Sequence, residues 1–264
     1  MVGSLRAEPA RVVSDLRRLA DWKQLFDGRV DAIHLTAFAG PKECTELVKF
    51  IATHPRTVGY DNARGILRLG NSFSDVRKST SGNIAGAYAS VDIVEEALGV
   101  SKVISQLLGV ITASWPYGLE TYSYRGVVLH RAIARRIIGA HAEPHDDNIS
   151  KEVCEDAVAL TVKCQLGVNL YLEMPEMGGE LEGWHRQLNA EEYDRLRNPE
   201  PDLAYGVRRD AIGNPDWEIR PVLGDVIIFK NTELHAIRQG EGSRTTWGFF
   251  LGYRGDEKPL LVWS

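Results

Sequence analysis

"KCQLGVNLYLEMPEMGGELEGW", residues 163–184, opens on a segment of strand-like composition and closes on a second one, GGELEGW. Gly178-Gly179, between them, is a turn signal. The same texture spreads outward in both directions. Upstream lies AIARRIIG (residues 132–139); downstream come WEIRP (217–221), DVIIF (225–229), LHAIR (234–238) and RTTWGFFLGY (244–253). Asn214-Pro215 and Leu223-Gly224-Asp225 punctuate the series, and one helical insertion, NAEEYDRLRN (189–198), interrupts it after Trp184. Many short strands with turn signals between them suggest an antiparallel sandwich or barrel.

Toward the N-terminus the pattern turns helical. Val12, Leu16, Leu19 and Phe26 recur at near-helical spacing and predict an opening helix. A second helix is expected after Pro41, which suits a first turn, with Cys44, Leu47, Val48 and Ile51 on one face. Residues 90–115 predict one or two further helices, broken near Gly99. Between these, residues 69–86 (LGNSFSDVRKSTSGNIAG) are polar and glycine-rich and read as a long loop, a kind of segment that is often functional. The expectation is a mainly β fold with α: one domain over residues 1–264, its helical part spanning about 1–120 and its β core about 125–255.

The chain has 264 residues, 44% hydrophobic and 25% charged, which is ordinary for a globular protein able to bury a large core. A net charge of −5 gives no basic footprint for nucleic acid or anionic membrane, so neither partner is expected. No apolar run approaches a membrane span, and the N-terminal residues lack a signal-peptide pattern. Three cysteines, Cys44, Cys154 and Cys164, fit a reducing compartment better than a disulfide framework. A cytoplasmic location is expected.

The chemistry concentrates in GAHAEPHDDN, residues 139–148, where two histidines, a glutamate and two aspartates fall within one short stretch. His145 and Asp147 are two apart, so on an extended strand they would share a face; His141 and Glu143 stand in the same relation and compete with them. His235, at the start of an expected strand, is the best-placed third ligand. Two imidazoles and one carboxylate leave coordination positions open, the facial arrangement used by non-haem Fe(II) oxygenases. His-x-Asp alone is weak evidence. Further along, Arg244 and Thr246 are two apart and face one way in a strand, a guanidinium fork plus a hydroxyl suited to a carboxylate. Separately they would read as a surface ion pair and a plain strand residue; one short strand beyond His235, they read as a clamp.

The order His145-x-Asp147, His235, Arg244-x-Thr246 resembles the Fe(II)/2-oxoglutarate-dependent dioxygenases, over roughly residues 125–255. GGEL (178–181) and the GDVIIF…H segment (224–235) are similar to that family's strand motifs. The resemblance implies a double-stranded β-helix, or jelly-roll, core. It implies Fe(II) on His145, Asp147 and His235, 2-oxoglutarate held through its distal carboxylate by Arg244 and Thr246, and O2 as co-substrate. The implied activity is oxidation of a small molecule's C–H bond with release of succinate and CO2. In the family pattern the ligand pair precedes an asparagine, which favours His145 and Asp147 over His141 and Glu143. Asp146, between the ligands, is then expected to face away from the metal, solvated or hydrogen-bonded.

More narrowly, PEMGGEL, YGVRRD and HDDN resemble a subgroup of carrier-independent alkaloid halogenases and hydroxylases of N-substituted amino acids. The halogenases carry glycine where this chain has Asp147, and that glycine leaves a position free for chloride. Asp147 therefore points to hydroxylation or another oxidation in specialised metabolism. Asn169 and Tyr171, on one strand face, are candidates to hydrogen-bond 2-oxoglutarate; Trp184, His185, Arg77 and Lys78 are candidates to meet the substrate. Arg238 and Arg254 are the alternative clamps. The competing readings are a metal-dependent β-barrel hydrolase or isomerase, and a non-catalytic barrel that only binds.

Overall fold

The structure, a computed structural model, describes residues 7–60, 63–78, 93–139, 141–203 and 205–264. Its N-terminal part contains the short strands β1 (Glu8–Pro9) and β2 (Val12–Val13), helix α1 (Leu19–Phe26), β3 (Ala32–Leu35) and α2 (Pro41–Thr53). Next come β4 (Val58–Tyr60), β5 (Ala63–Leu69), α3 (Phe73–Lys78), α4 (Ile93–Ala97) and α5 (Val103–Ser114). Strand β6 (Leu119–Thr121) and the hairpin β7 (Ser123–Tyr124) and β8 (Val127–Val128) lead into β9 (Ile133–Ile138), β10 (Ala142–His145) and α6 (Ile149–Glu152). The remainder is β11 (Cys164–Glu173), β12 (Leu181–Gly183), α7 (Ala190–Leu196), α8 (Arg209–Ile212), β13 (Trp217–Ile219), β14 (Val226–Lys230), β15 (His235–Ile237), β16 (Ser243–Tyr253) and β17 (Leu260–Trp263).

Eight of these strands make the core. One sheet contains the run β9-β16-β11-β14, and the facing sheet contains β10-β15-β12-β13. Alternation along β11 shows why the layers stack as they do. Leu166, Val168, Leu170 and Leu172 point outward to the helices, joining Trp22, Leu25, Cys44, Leu47, Ile51, Leu107 and Ile111 in the largest apolar cluster. Gln165, Gly167 and Asn169, in the other phase, face the space between the sheets. Tyr171 continues that phase into a second cluster with Leu181, Trp217, Ile227 and Phe229. The helices thus form a layer on the outer face of the larger sheet, and the inner faces are left to form a cavity.

Three expectations change. The opening helix begins only at Leu19; Val12 belongs to β2, which pairs in parallel with β3. Apolar residues at helical spacing there bury themselves by other means, Leu16 from a loop. The N-terminal part also supplies strands β1 to β5, which extend both sheets. Residues 69–86 include helix α3, and residues 79–86 lie outside the described set. The break near Gly99 stands, between α4 and α5. Among the described residues, no helix is long and apolar enough to cross a membrane.

Candidate metal centre and dicarboxylate clamp

Antiparallel pairing of β10 with β15 places His145 directly opposite His235. Their rings lie 4.4 Å apart between centroids. Asp147 is not on the strand; it sits in the loop just after β10, where its N–H donates to the carbonyl of Asn231 at 2.8 Å. One ligand atom from each of His145, Asp147 and His235 falls within 4.8 Å of the others. The histidines are prepared alike. The Nδ1–H of His145 donates to the carbonyl of Glu143 at 2.7 Å, and that of His235 to the carbonyl of Glu233 at 3.0 Å. Those carbonyls fix the tautomer and leave each Nε2 lone pair for a metal. Burial, and then the neighbouring His145, push the pKa of His235 down to about 4, so its ring is neutral and ready to ligate at pH 7.

The register slips by one residue between Ala142 and His145, a β-bulge over Glu143 and Pro144. A regular strand would place residues 141, 143 and 145 on one face. With the bulge, Ala142 and His145 share the inner face, opposite Ile237 and His235. His141 and Glu143 are turned to a different, outer cavity, where they pair with each other at 3.0 Å. Pro144 suits the bulge, since it has no N–H to lose from the ladder. Phe229 supports His235 from below, ring centroids 5.1 Å apart.

Arg244 and Thr246 project from β16 into the same cavity, which measures about 540 Å³. Arg244 is buried, its Nη2 donates to the hydroxyl of Tyr171 at 3.1 Å, and its Nε has no hydrogen-bond partner among the described residues. The guanidinium also lies 4.9 Å from the Tyr171 ring centroid. No described carboxylate pairs with it. Arg238 and Arg254 are engaged elsewhere, Arg238 by Glu182 and Glu218, Arg254 by Glu120. A buried cation without an anion is costly, so this one calls for a ligand that brings the charge.

The other candidates separate. Asn169 lines the cavity, whereas Tyr171 lies beneath Arg244 and steadies it. Arg77 reaches the cavity and donates to the carbonyl of Glu152; the side chain of Lys78 lies outside the described residues. Trp184 is packed with Leu188, Val207, Leu234 and Ala236, away from the cavity. His185 instead bonds Asp31 at 2.8 Å on the surface. Asp146 does not face away from the cavity but lines it, and of the two expected states it is the hydrogen-bonded one, in an ion pair with Lys151 at 2.6 Å.

Several lining residues gave no signal in the sequence. Asn231, Tyr205 and Arg135 face the cavity, Arg135 with its Nε donating to the Tyr60 hydroxyl at 3.2 Å. Only pairing shows Arg135 to be the neighbour of Thr246. Glu152 also lines it, and burial together with the charge of Asp147 raises its pKa to about 7.

In sequence comparison no protein-family model and no curated protein matches the chain. In structure the likeness is extensive. An N-substituted L-amino acid dioxygenase from Burkholderia ambifaria AMMD aligns with a TM-score of 0.56 and 16% identity, covering 92% of this chain and 89% of that one. Its complex with alpha-KG gives 0.52 at 15% identity over the same shares. HygX from Streptomyces hygroscopicus, bound to nickel and 2-oxoglutarate, gives 0.51 at 14% identity, covering 87% and 86%. The chain thus has the double-stranded β-helix fold of the Fe(II)/2-oxoglutarate oxygenases.

Proposed function

We propose that the protein is an Fe(II)- and 2-oxoglutarate-dependent oxygenase that hydroxylates, or otherwise oxidises, a C–H bond of a small molecule. The observation that carries this reading is Arg244: a buried guanidinium, without a described carboxylate, in the same cavity as two histidines and an aspartate. A dicarboxylate that chelates a metal through one end and meets Arg244 and Thr246 with the other satisfies both features at once. A hydrolase or isomerase on the same ligands would have no use for such a clamp. Bound iron would supply the activation of O2. The chain's own residues do the rest: His145, Asp147 and His235 hold the metal, Arg244 and Thr246 orient the co-substrate, and the walls exclude water and place the substrate.

The substrate reading is finer. The cavity suits a small molecule, and the positions of Arg77 and Arg135 on its wall support one that carries an acidic group. Likeness to a dioxygenase of N-substituted L-amino acids favours a modified amino acid, or a similar compound of specialised metabolism.

Purified protein given Fe(II), 2-oxoglutarate and O2 is expected to release succinate, and to do so faster with its substrate present. Release should stop when a chelator removes the iron. Metal-loaded protein that neither binds 2-oxoglutarate nor yields succinate would overturn the reading.

A further inference from the structure

We propose that Asn231 is the positioning residue for the carboxylate that ligates the metal, an inference that rests on the metal-centre reading above. The ladder between β10 and β15 fixes the two histidines opposite each other, but Asp147 lies beyond it. Two bonds, both from Asn231, take the ladder's place. Its carbonyl accepts the Asp147 N–H at 2.8 Å, which sets the backbone. Its side-chain Nδ2 donates to Asp147 Oδ2 at 3.3 Å, which sets the rotation of the carboxylate. That same oxygen stands 3.6 Å from His235 Nε2, so the amide acts on a carboxylate already turned toward the imidazoles.

The cost of this arrangement marks it as functional. Asn231 is fully buried, and its Oδ1 has no hydrogen-bond partner among the described residues. A buried acceptor left unmade weakens a fold, and a leucine of similar size would leave none. Among the described residues, the side chain's one hydrogen bond is the one to Asp147. An amide kept buried under that penalty is held for the ligand it orients, as groups that hold metal ligands commonly are.

Mn(II), which survives in air, is the probe, and the six-line resonance of the free ion reports binding. Parent, Asp147→Ala and Asn231→Leu are titrated, and each is melted without metal. The expectation for Asn231→Leu is a Kd for Mn(II) raised roughly 10–100-fold, with a metal-free melting temperature no lower than the parent's, because the orphaned acceptor leaves with the donor. Asn231→Ala repeats the measurement should leucine overpack. Parent-like affinity in both variants overturns the proposal. So does a melting temperature that falls along with affinity in both, since that assigns Asn231 to the fold. If Asp147→Ala binds Mn(II) as the parent does, the metal-centre reading fails instead, and the two failures are told apart.

Discussion

Arg244 is a buried cation that no carboxylate among the described residues pairs, and its behaviour on substitution follows from that. Arg244→Ala removes a charge-assisted contact worth about 1.5–3 kcal/mol, so the Kd for 2-oxoglutarate should rise on the order of 10–100-fold while the substrate's own affinity changes little. Arg244→Lys should recover only part, because an ammonium cannot reproduce the fork. Calorimetric titration of the Mn(II)-loaded variants with 2-oxoglutarate measures both. Saturation like the parent's in both variants would place the dicarboxylate elsewhere. This pair of residues could be read in the sequence because the spacing in Arg244-x-Thr246 matches the period of a strand, so their common face followed without knowledge of the partner strands. Asn231 and Arg135 could not be read that way. Their place depends on which strands lie beside them, and a single sequence carries no pairing. Trp184 illustrates the opposite error: an aromatic next to a motif suggested a pocket, but its indole is packed in an apolar cluster, with its N–H donating to the carbonyl of Gly213.

At the scale of elements, the strand β10 depends on the first residues of YGVRRD, a stretch the sequence offered only as a point of resemblance. Residues 205–207, after α7, lie across its bulge. The Tyr205 hydroxyl accepts the Glu143 N–H at 3.0 Å, and the Val207 N–H donates to the Pro144 carbonyl at 2.8 Å. Between them Gly206 approaches so closely that a Cβ there would lie 2.6 Å from Glu143 Cβ and 2.9 Å from the Pro144 carbonyl oxygen. Tyr205→Phe leaves the Glu143 N–H unmade and should cost about 1–3 kcal/mol in urea unfolding. Gly206→Ala should cost a similar amount by forcing the bulge aside, and it should weaken Mn(II) binding too, since His145 directly follows the bulge. Gly206→Ala with unchanged stability and metal affinity would show that the bulge stands without its strap. The strands themselves were largely legible, because those of the core carry their apolar residues in short runs between turn signals. The bulge was not, since Glu143-Pro144 reads equally as strand or loop until β15 is laid beside it. The opening helix starts later than expected for a related reason: Val12 and Leu16 have helical spacing, but tertiary pairing with β3 claims the first of them.

For the molecule as a whole, one buried histidine sets an acid limit. His235 has its pKa lowered to about 4 by burial, below the usual histidine value of about 6.5. Above that usual value the ring is neutral folded or unfolded, and it contributes no pH dependence. As pH falls from about 6.5 toward 4 the unfolded chain takes up a proton that the folded chain refuses, so metal-free stability should drop by about 1 kcal/mol per unit. Urea unfolding at stepped pH should show this slope in the parent and a shallower one in His235→Gln; equal slopes would assign the acid sensitivity to other groups. A different consequence follows from the N-terminal strands. β1 pairs with β13 and β2 with β3, so residues 8–13 cover the outermost strand of each sheet in turn, and Arg11 pins the crossing to Asp31 at 2.7 Å. Without them, two rows of backbone N–H and C=O groups on the same flank would stand bare, a ready template for strand addition from another copy. Six residues at the start of the fold thus cap one edge of both sheets.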